Sequence, residues 1–249
     1  MTLWLILAAA GFAAGVINAI AGGGSLLSFP ALLLTGMSPI VANATNTVAV
    51  WPGSLSSAWA YRGKLAEHRQ RVWLLAWPSL IGGLLGSFIV LHTSERVFAG
   101  LVPWLIIFAC VLLALQPRIA RLLPPRAVGG RHALSLLWIA QFLIAIYGGY
   151  FGAGMGILTL AALAILLRGS LQDANAIKVF LALLINGIAA LYFLASGAGR
   201  LPEAAVMALA SLAGGYVGAR LAQRLPAALM RWLVVVYGLC IALRLAYTL

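Results

Sequence analysis

The stretch Asn18-Ala19-Ile20-Ala21-Gly22-Gly23-Gly24-Ser25 breaks an apolar run with three consecutive glycines. Upstream of it, residues 3–21 are about as long as the roughly 20 apolar residues needed to cross the hydrocarbon core of a bilayer. Downstream, the apolar run over about 25–36 is too short to cross alone. Glycine is a poor helix-interior residue, and irregular backbone at membrane depth is tolerated only where protein or a watery cavity satisfies its polar groups. The stretch therefore predicts a broken or re-entrant helix. A second stretch, Gly148-Gly149-Tyr150-Phe151-Gly152-Ala153-Gly154-Met155-Gly156, interrupts the pattern again ahead of another short apolar run, about 156–167.

Composition supports a lipid environment. Of 249 residues, 64% are hydrophobic and 8% charged, far from the usual soluble mixture of about half apolar and a quarter charged. Full-length apolar runs fall at about 3–21, 40–61, 72–92, 97–115, 133–151, 174–195, 203–219 and 228–247, eight in all. Transmembrane barrels need alternating strands, whereas residues 101–115 and 158–167 are continuously apolar. The expected fold is thus all-α, a polytopic helical membrane protein. No Lys or Arg precedes Arg62, so residues 1–21 read as a retained span and not as a cleaved signal.

Sixteen Lys and Arg against four acids give a net charge of +12, which in a soluble chain would suggest nucleic acid. Their positions exclude that reading. Arg62, Lys64, Arg69 and Arg71 share one connection; Arg118, Arg121, Arg126 and Arg131 share another; Arg168 stands in a third and Arg220, Arg224 and Arg231 in a fourth. By the positive-inside rule these face the cytoplasm, with attraction to lipid head groups as a secondary role. Arg96 and Arg200 in the alternate connections each sit near an acid, Glu95 and Glu203.

Sliding the sequence by 132 residues superposes two halves: Gly22 and Gly24 fall on Gly154 and Gly156, Ala42-Asn43-Ala44 on Ala174-Asn175-Ala176, and Gly82, Gly83 and Gly86 on Gly214, Gly215 and Gly218. The expected domains are a first transmembrane repeat over 1–117, a basic cytoplasmic linker over 118–132 and a second repeat over 133–249. If each long-short pair enters and leaves on one side, three crossings remain per half, and an odd number inverts the second copy. The charge bias gives the same orientation and puts both termini outside the cytoplasm. Paired short, Gly-interrupted segments in inverted halves point to a transport site.

Helices starting near Ser25 and Ile157 would present unpaired amides and a positive dipole end to such a site, which suits anions. Gly22, Gly23, Gly24, Ser25, Gly152, Gly154 and Gly156 are the candidate backbone residues. Gly82, Gly86, Gly214 and Gly218 read instead as close helix packing. Polar residues in the next span of each half should face the bundle interior. Of these, Asn43, Thr45, Asn46, Asn175 and Lys178 are the candidate substrate ligands, while Ser54, Ser56, Ser57 and Asn186 share the pattern. Lys178 either snorkels to the interface or attracts an anion. Asp173 alone of the four acids could serve a proton relay. Cys110 and Cys240 lie in apolar spans, and no metal site or cofactor is expected.

The motifs Gly11-x-x-x-Gly15, Ala21-Gly22-Gly23-Gly24-Ser25, Pro30, Gly36 and Ala42-Asn43-Ala44-Thr45-Asn46 resemble the sulfite exporter TauE/SafE family, and Gly152-x-Gly154-x-Gly156 with Ala174-Asn175-Ala176 is similar to its second repeat. The resemblance implies a bacterial inner-membrane permease, a secondary transporter for sulfite, sulfonates such as sulfoacetate, or related organosulfur anions, with H+ or Na+ as a possible coupling ion. A membrane scaffold and an intramembrane enzyme are the competing classes. Against the enzyme, Ser25 stands in Gly-Gly-Gly-Ser and not in a Gly-x-Ser-x-Gly elbow, with no intramembrane His or Asp to act as its base.

Overall fold

The computed structural model describes residues 2–20, 22–122, 131–166, 171–221 and 227–248, and within them the regular elements are helices. In chain order they are α1 (Thr2–Ile20), α2 (Ser25–Leu33), α3 (Pro39–Ala60), α4 (Arg62–Glu67), α5 (Arg69–His92), α6 (Glu95–Leu122), α7 (Arg131–Tyr150), α8 (Met155–Leu166), α9 (Leu171–Ala195), α10 (Leu201–Leu221) and α11 (Ala227–Thr248). Most of the 118–132 linker, and Arg168 and Arg224, lie outside the described residues. α6 itself runs on through Arg118, past the end of its apolar stretch. Where the sequence predicts a plain connection over residues 62–71, the chain forms the extra short helix α4.

Among the described residues, five segments are long and apolar enough to cross a membrane: Thr2–Ile20, Arg69–His92, Glu95–Leu115, Asp173–Ala195 and Leu201–Arg220. The chain is therefore a multi-pass helical membrane protein. Of the eight runs expected, α3 has the length but falls short in apolarity, because Asn43, Thr45, Asn46, Thr47, Ser54 and Ser57 lie along it. All six are buried against protein, which is where polar groups at membrane depth belong. Trp77, Trp104, Leu143 and Leu209 are exposed on the outside, so the surface is apolar where a soluble protein would be charged.

Tight seams hold the bundle together. α1 packs along α10, and α5 along α7. A methyl at Gly218 would stand 2.6 Å from Val16 Cα, and one at Gly82 would stand 2.6 Å from the Phe142 carbonyl oxygen. Such separations leave no room for a side chain, so helix backbones meet there, as the packing reading of these glycines requires. The contacts also pair off under the 132-residue offset: α1 on α10 answers α7 on α5, α3 on α10 answers α9 on α5, and α2 on α11 answers α8 on α6. α3 against α9 and α6 against α11 are each their own counterpart.

Both short helices lie inside this bundle. α2, at nine residues, spans about 14 Å, and α8, at twelve, about 18 Å, against roughly 30 Å of hydrocarbon. α2 buries Leu26, Phe29 and Leu32 completely or nearly so. Phe29 meets Phe151 of the second break edge to face, centroids 5.4 Å apart. Aromatic packing thus fixes one half's short helix on the other half's glycine turn.

Candidate functional site

Each glycine stretch turns the chain by a specific local device. After α1, Gly22 takes φ +77°, a left-handed conformation that costs any residue with a Cβ about 1–2 kcal/mol. Its amide donates to the Ile17 carbonyl at 3.0 Å, and the Asn18 side-chain oxygen accepts from the Gly24 amide at 2.7 Å. Gly24 lies so close to the Ala14 backbone that α2 must run back along α1. After α7, Gly152 and Gly154 both take φ +80°, and α8 starts at Met155. The two turns touch, since a methyl on either Gly22 or Gly156 would stand 3.2 Å from the Cα of the other.

A cavity of about 30 Å³ opens where the turns meet, lined by Asn18, Gly22 and Ser25 from the first break, Gly152, Met155 and Gly156 from the second, Ser54 and Ser57 of α3, and Lys178, Val179, Ala182 and Asn186 of α9. That is room for roughly two waters, the bulk of a small oxyanion. The first residues of α2 and α8 both stand on its wall, bringing two positive helix ends to one place.

Lys178 is the charged group of this cavity. Its residue is 2% exposed, and its Nζ has no hydrogen-bond partner among the described residues. It does not snorkel. None of the lining residues is an acid, and the acids sit elsewhere. Asp173 Oδ1 is 3.3 Å from Lys64 Nζ and 3.5 Å from His68 Nε2. Glu95 accepts from Ser38, and Glu203 pairs with Arg200.

Of the residues that the sequence nominates, Gly22, Ser25, Gly152, Gly156 and Lys178 meet at the cavity. Gly23, Gly24 and Gly154 shape the turns without lining it. The polar residues of α3 and α9 fall mostly outside. Asn43 Nδ2 donates to the Tyr150 carbonyl at 2.9 Å, bracing the end of α7. Asn46 accepts from Ser28 Oγ, tying α3 to α2. Thr45 Oγ1 donates to the Val41 carbonyl at 2.7 Å and accepts from the Arg200 amide at 3.0 Å. Asn175 Nδ2 donates to the Tyr61 hydroxyl at 3.1 Å, one turn beyond the cavity.

Sequence reasoning leaves Asn18, Ser54, Ser57, Met155, Val179, Ala182 and Asn186 out of the candidate set. One signal could have found two of them: Ser54 and Asn186 are counterparts under the 132-residue offset. Asn18 carries a further expectation. Replacing it with alanine removes the acceptor for the Gly24 amide, which is expected to cost about 1 kcal/mol, as for a lost helix cap. A thermal melt in detergent measures it, and an unchanged midpoint would remove Asn18 from the turn's support.

The sequence profile of the sulfite exporter TauE/SafE family matches residues 7–245. The chain is 29% identical over 245 residues to a probable membrane transporter protein of Haemophilus influenzae, covering 98% of this chain and 95% of that one. It is 28% identical over 235 residues to the probable membrane transporter protein YfcA of Escherichia coli, covering 94% and 86%. A probable membrane transporter protein of a Sinorhizobium species, ORF9, is 28% identical over 240 residues, covering 95% and 89%. Its helical membrane architecture, its paired glycine turns and this near full-length match together place the chain in the sulfite exporter TauE/SafE family of membrane transporters.

Proposed function

We propose that the protein is a secondary transporter of small anions, an exporter of sulfite, sulfonates such as sulfoacetate, or related organosulfur compounds across the bacterial inner membrane. One observation carries the reading: an ammonium without a partner among the described residues, Lys178 Nζ, lies in a cavity between two helix starts whose described lining holds no acid. A lone buried charge is costly, and an arriving anion relieves that cost. The helix ends add favourable dipoles, and the hydroxyls of Ser25 and Ser54 and the amides of Asn18 and Asn186 offer donors around it.

In this reading the two halves are inverted with both termini outside the cytoplasm. The basic connections beginning at Arg62 and Arg118 then face inward. The cavity lies where the halves meet, so rocking of one half against the other exposes it alternately. Its small volume admits the sulfite or sulfonate head group, and the tail of a larger sulfonate requires one side to open.

Flux into liposomes containing the purified protein tests the reading. Saturable movement of sulfite or a two-carbon sulfonate above protein-free liposomes is expected, with mutual competition between them. Absence of both flux and binding across a panel of sulfur oxyanions would favour a scaffold.

A further inference from the structure

We propose that Lys178 is also the coupling group: it carries one proton across the membrane with each anion, so that the transporter is a one-to-one anion–proton cotransporter. The inference rests on the anion-binding role given to Lys178 above and adds a statement about the empty carrier.

The empty carrier must return across the membrane without substrate. Lys178 then either keeps its charge with no counter-ion or gives up the proton. Among the described residues its surroundings supply no substitute anion. The cavity wall from α1, α2, α3, the second break and α9 presents Asn18, Ser25, Ser54, Ser57 and Asn186 as its polar side chains, with no acid among them.

Among the described residues, the other ionisable groups on the neighbouring elements stand off the cavity wall. Tyr147 of α7 donates to the Ala153 carbonyl oxygen. Arg69 and Arg71 stand at the start of α5. Lys64 and His68 converge on Asp173, at the start of α9 beyond the cavity. Asp173, the one acid that the sequence offered for a proton relay, is thus already engaged by two basic groups. A carboxylate relay has no described member at the cavity, and the amine is the group there that can hold and release a proton.

The cycle balances simply. Loading brings the anion to the ammonium, and together they cross with their charges cancelled. On release the anion leaves, an Nζ–H bond breaks, and the proton passes to a water as hydronium in the same compartment. The neutral amine crosses back and takes a proton from hydronium on the other side, leaving water. One anion and one proton have then moved in the same direction, and a monovalent anion moves with no net charge.

Two variants separate the roles of binding and proton release. Arginine keeps its charge at any pH the protein survives, so Lys178→Arg holds the anion but cannot return empty. The probe is methanesulfonate, a monovalent anion ionised throughout the usable pH range. The full-length protein is reconstituted in liposomes, with the potential set by potassium and valinomycin and the pH gradient set separately.

For the wild type, net flux is expected to follow the pH gradient, accumulating methanesulfonate about tenfold per pH unit, and to ignore the imposed potential. For Lys178→Arg, exchange of labelled for unlabelled methanesulfonate is expected to persist while net flux falls at least tenfold. Wild-type net flux that follows the potential and ignores the pH gradient overturns the coupling, and so does net flux in Lys178→Arg as fast as its exchange. The wild-type measurement stands even where the arginine fails to fit. A Lys178→Ala protein that exchanges as fast as wild type instead overturns the anion-binding role beneath it.

Discussion

Lys178→Ala is expected to cut anion flux by about 30- to 1000-fold while leaving the protein as stable as before, or more stable. The two halves of that result come from one observation, the absence of a protein partner for Nζ among the described residues. In the loaded state the ammonium supplies a charge-assisted contact in a buried cavity, and losing such a contact costs about 2–4 kcal/mol, which is the stated range of affinity. In the empty state the same side chain is buried without compensation, either as a lone charge or as an amine that has given up its proton to avoid one, so removing it relieves a cost. A lysine that merely held helices together would behave oppositely, with flux falling only as far as the melting temperature fell. Paired measurement of flux in liposomes and melting in detergent separates these. A large drop in melting temperature with proportionate loss of flux would sink the binding role.

The second large effect concerns the contact between the two glycine turns. Gly156→Ala places a methyl 3.2 Å from Gly22 Cα and 3.5 Å from Lys178 Cδ. The first neighbour is backbone and cannot rotate away. The turns must separate by a few tenths of an ångström, whereas the approach to the lysine stem is an ordinary contact. Overpacking of this kind costs about 1–3 kcal/mol, and transport is expected to fall at least tenfold, since the turns that set both helix starts on the cavity wall are pushed apart. Gly22→Ala adds the strain of its positive φ. Gly23→Ala is the contrasting control: although it sits between two glycines packed against backbone, its added methyl meets Leu113 Cδ2 at 3.5 Å, an ordinary contact with a side chain. It is expected to change stability by less than about 0.5 kcal/mol and to transport normally. Loss of transport in Gly23→Ala with retention in Gly156→Ala would show that the turns meet differently.

The contrast shows what the glycines could and could not reveal in advance. Three in a row after Ala21 mark a break because helix propensity and hydropathy are local properties, and the helix starts at Ser25 and Met155 fall within two residues of those expected. Which of the three bears on the cavity depends on the second turn, more than a hundred residues away. The polar residues behave the same way. Asn43 and Asn46, the clearest ligand candidates by composition, hold the end of α7 and the side of α2, so they brace the breaks. Asn175 reaches Tyr61 because α4 and the end of α3 lie against the start of α9. Asn186, two turns past Lys178, stands on the cavity wall.

The sequence by itself determined that the chain lives in a bilayer as helices, where two of those helices are interrupted, and that the interruptions match at a fixed offset. These follow from apolar run length, glycine's weak helix propensity and the exclusion of unsatisfied backbone from lipid, each a property of neighbouring residues. Only the tertiary structure decided that the interruptions meet, that Lys178 lines the space between them without a partner among the described residues, and that most other polar groups are spent on bracing. Rotation about a helix axis and the approach of distant helices set those outcomes. In a bundle whose seams are backbone against backbone, a shift of one residue would exchange a ligand for a brace.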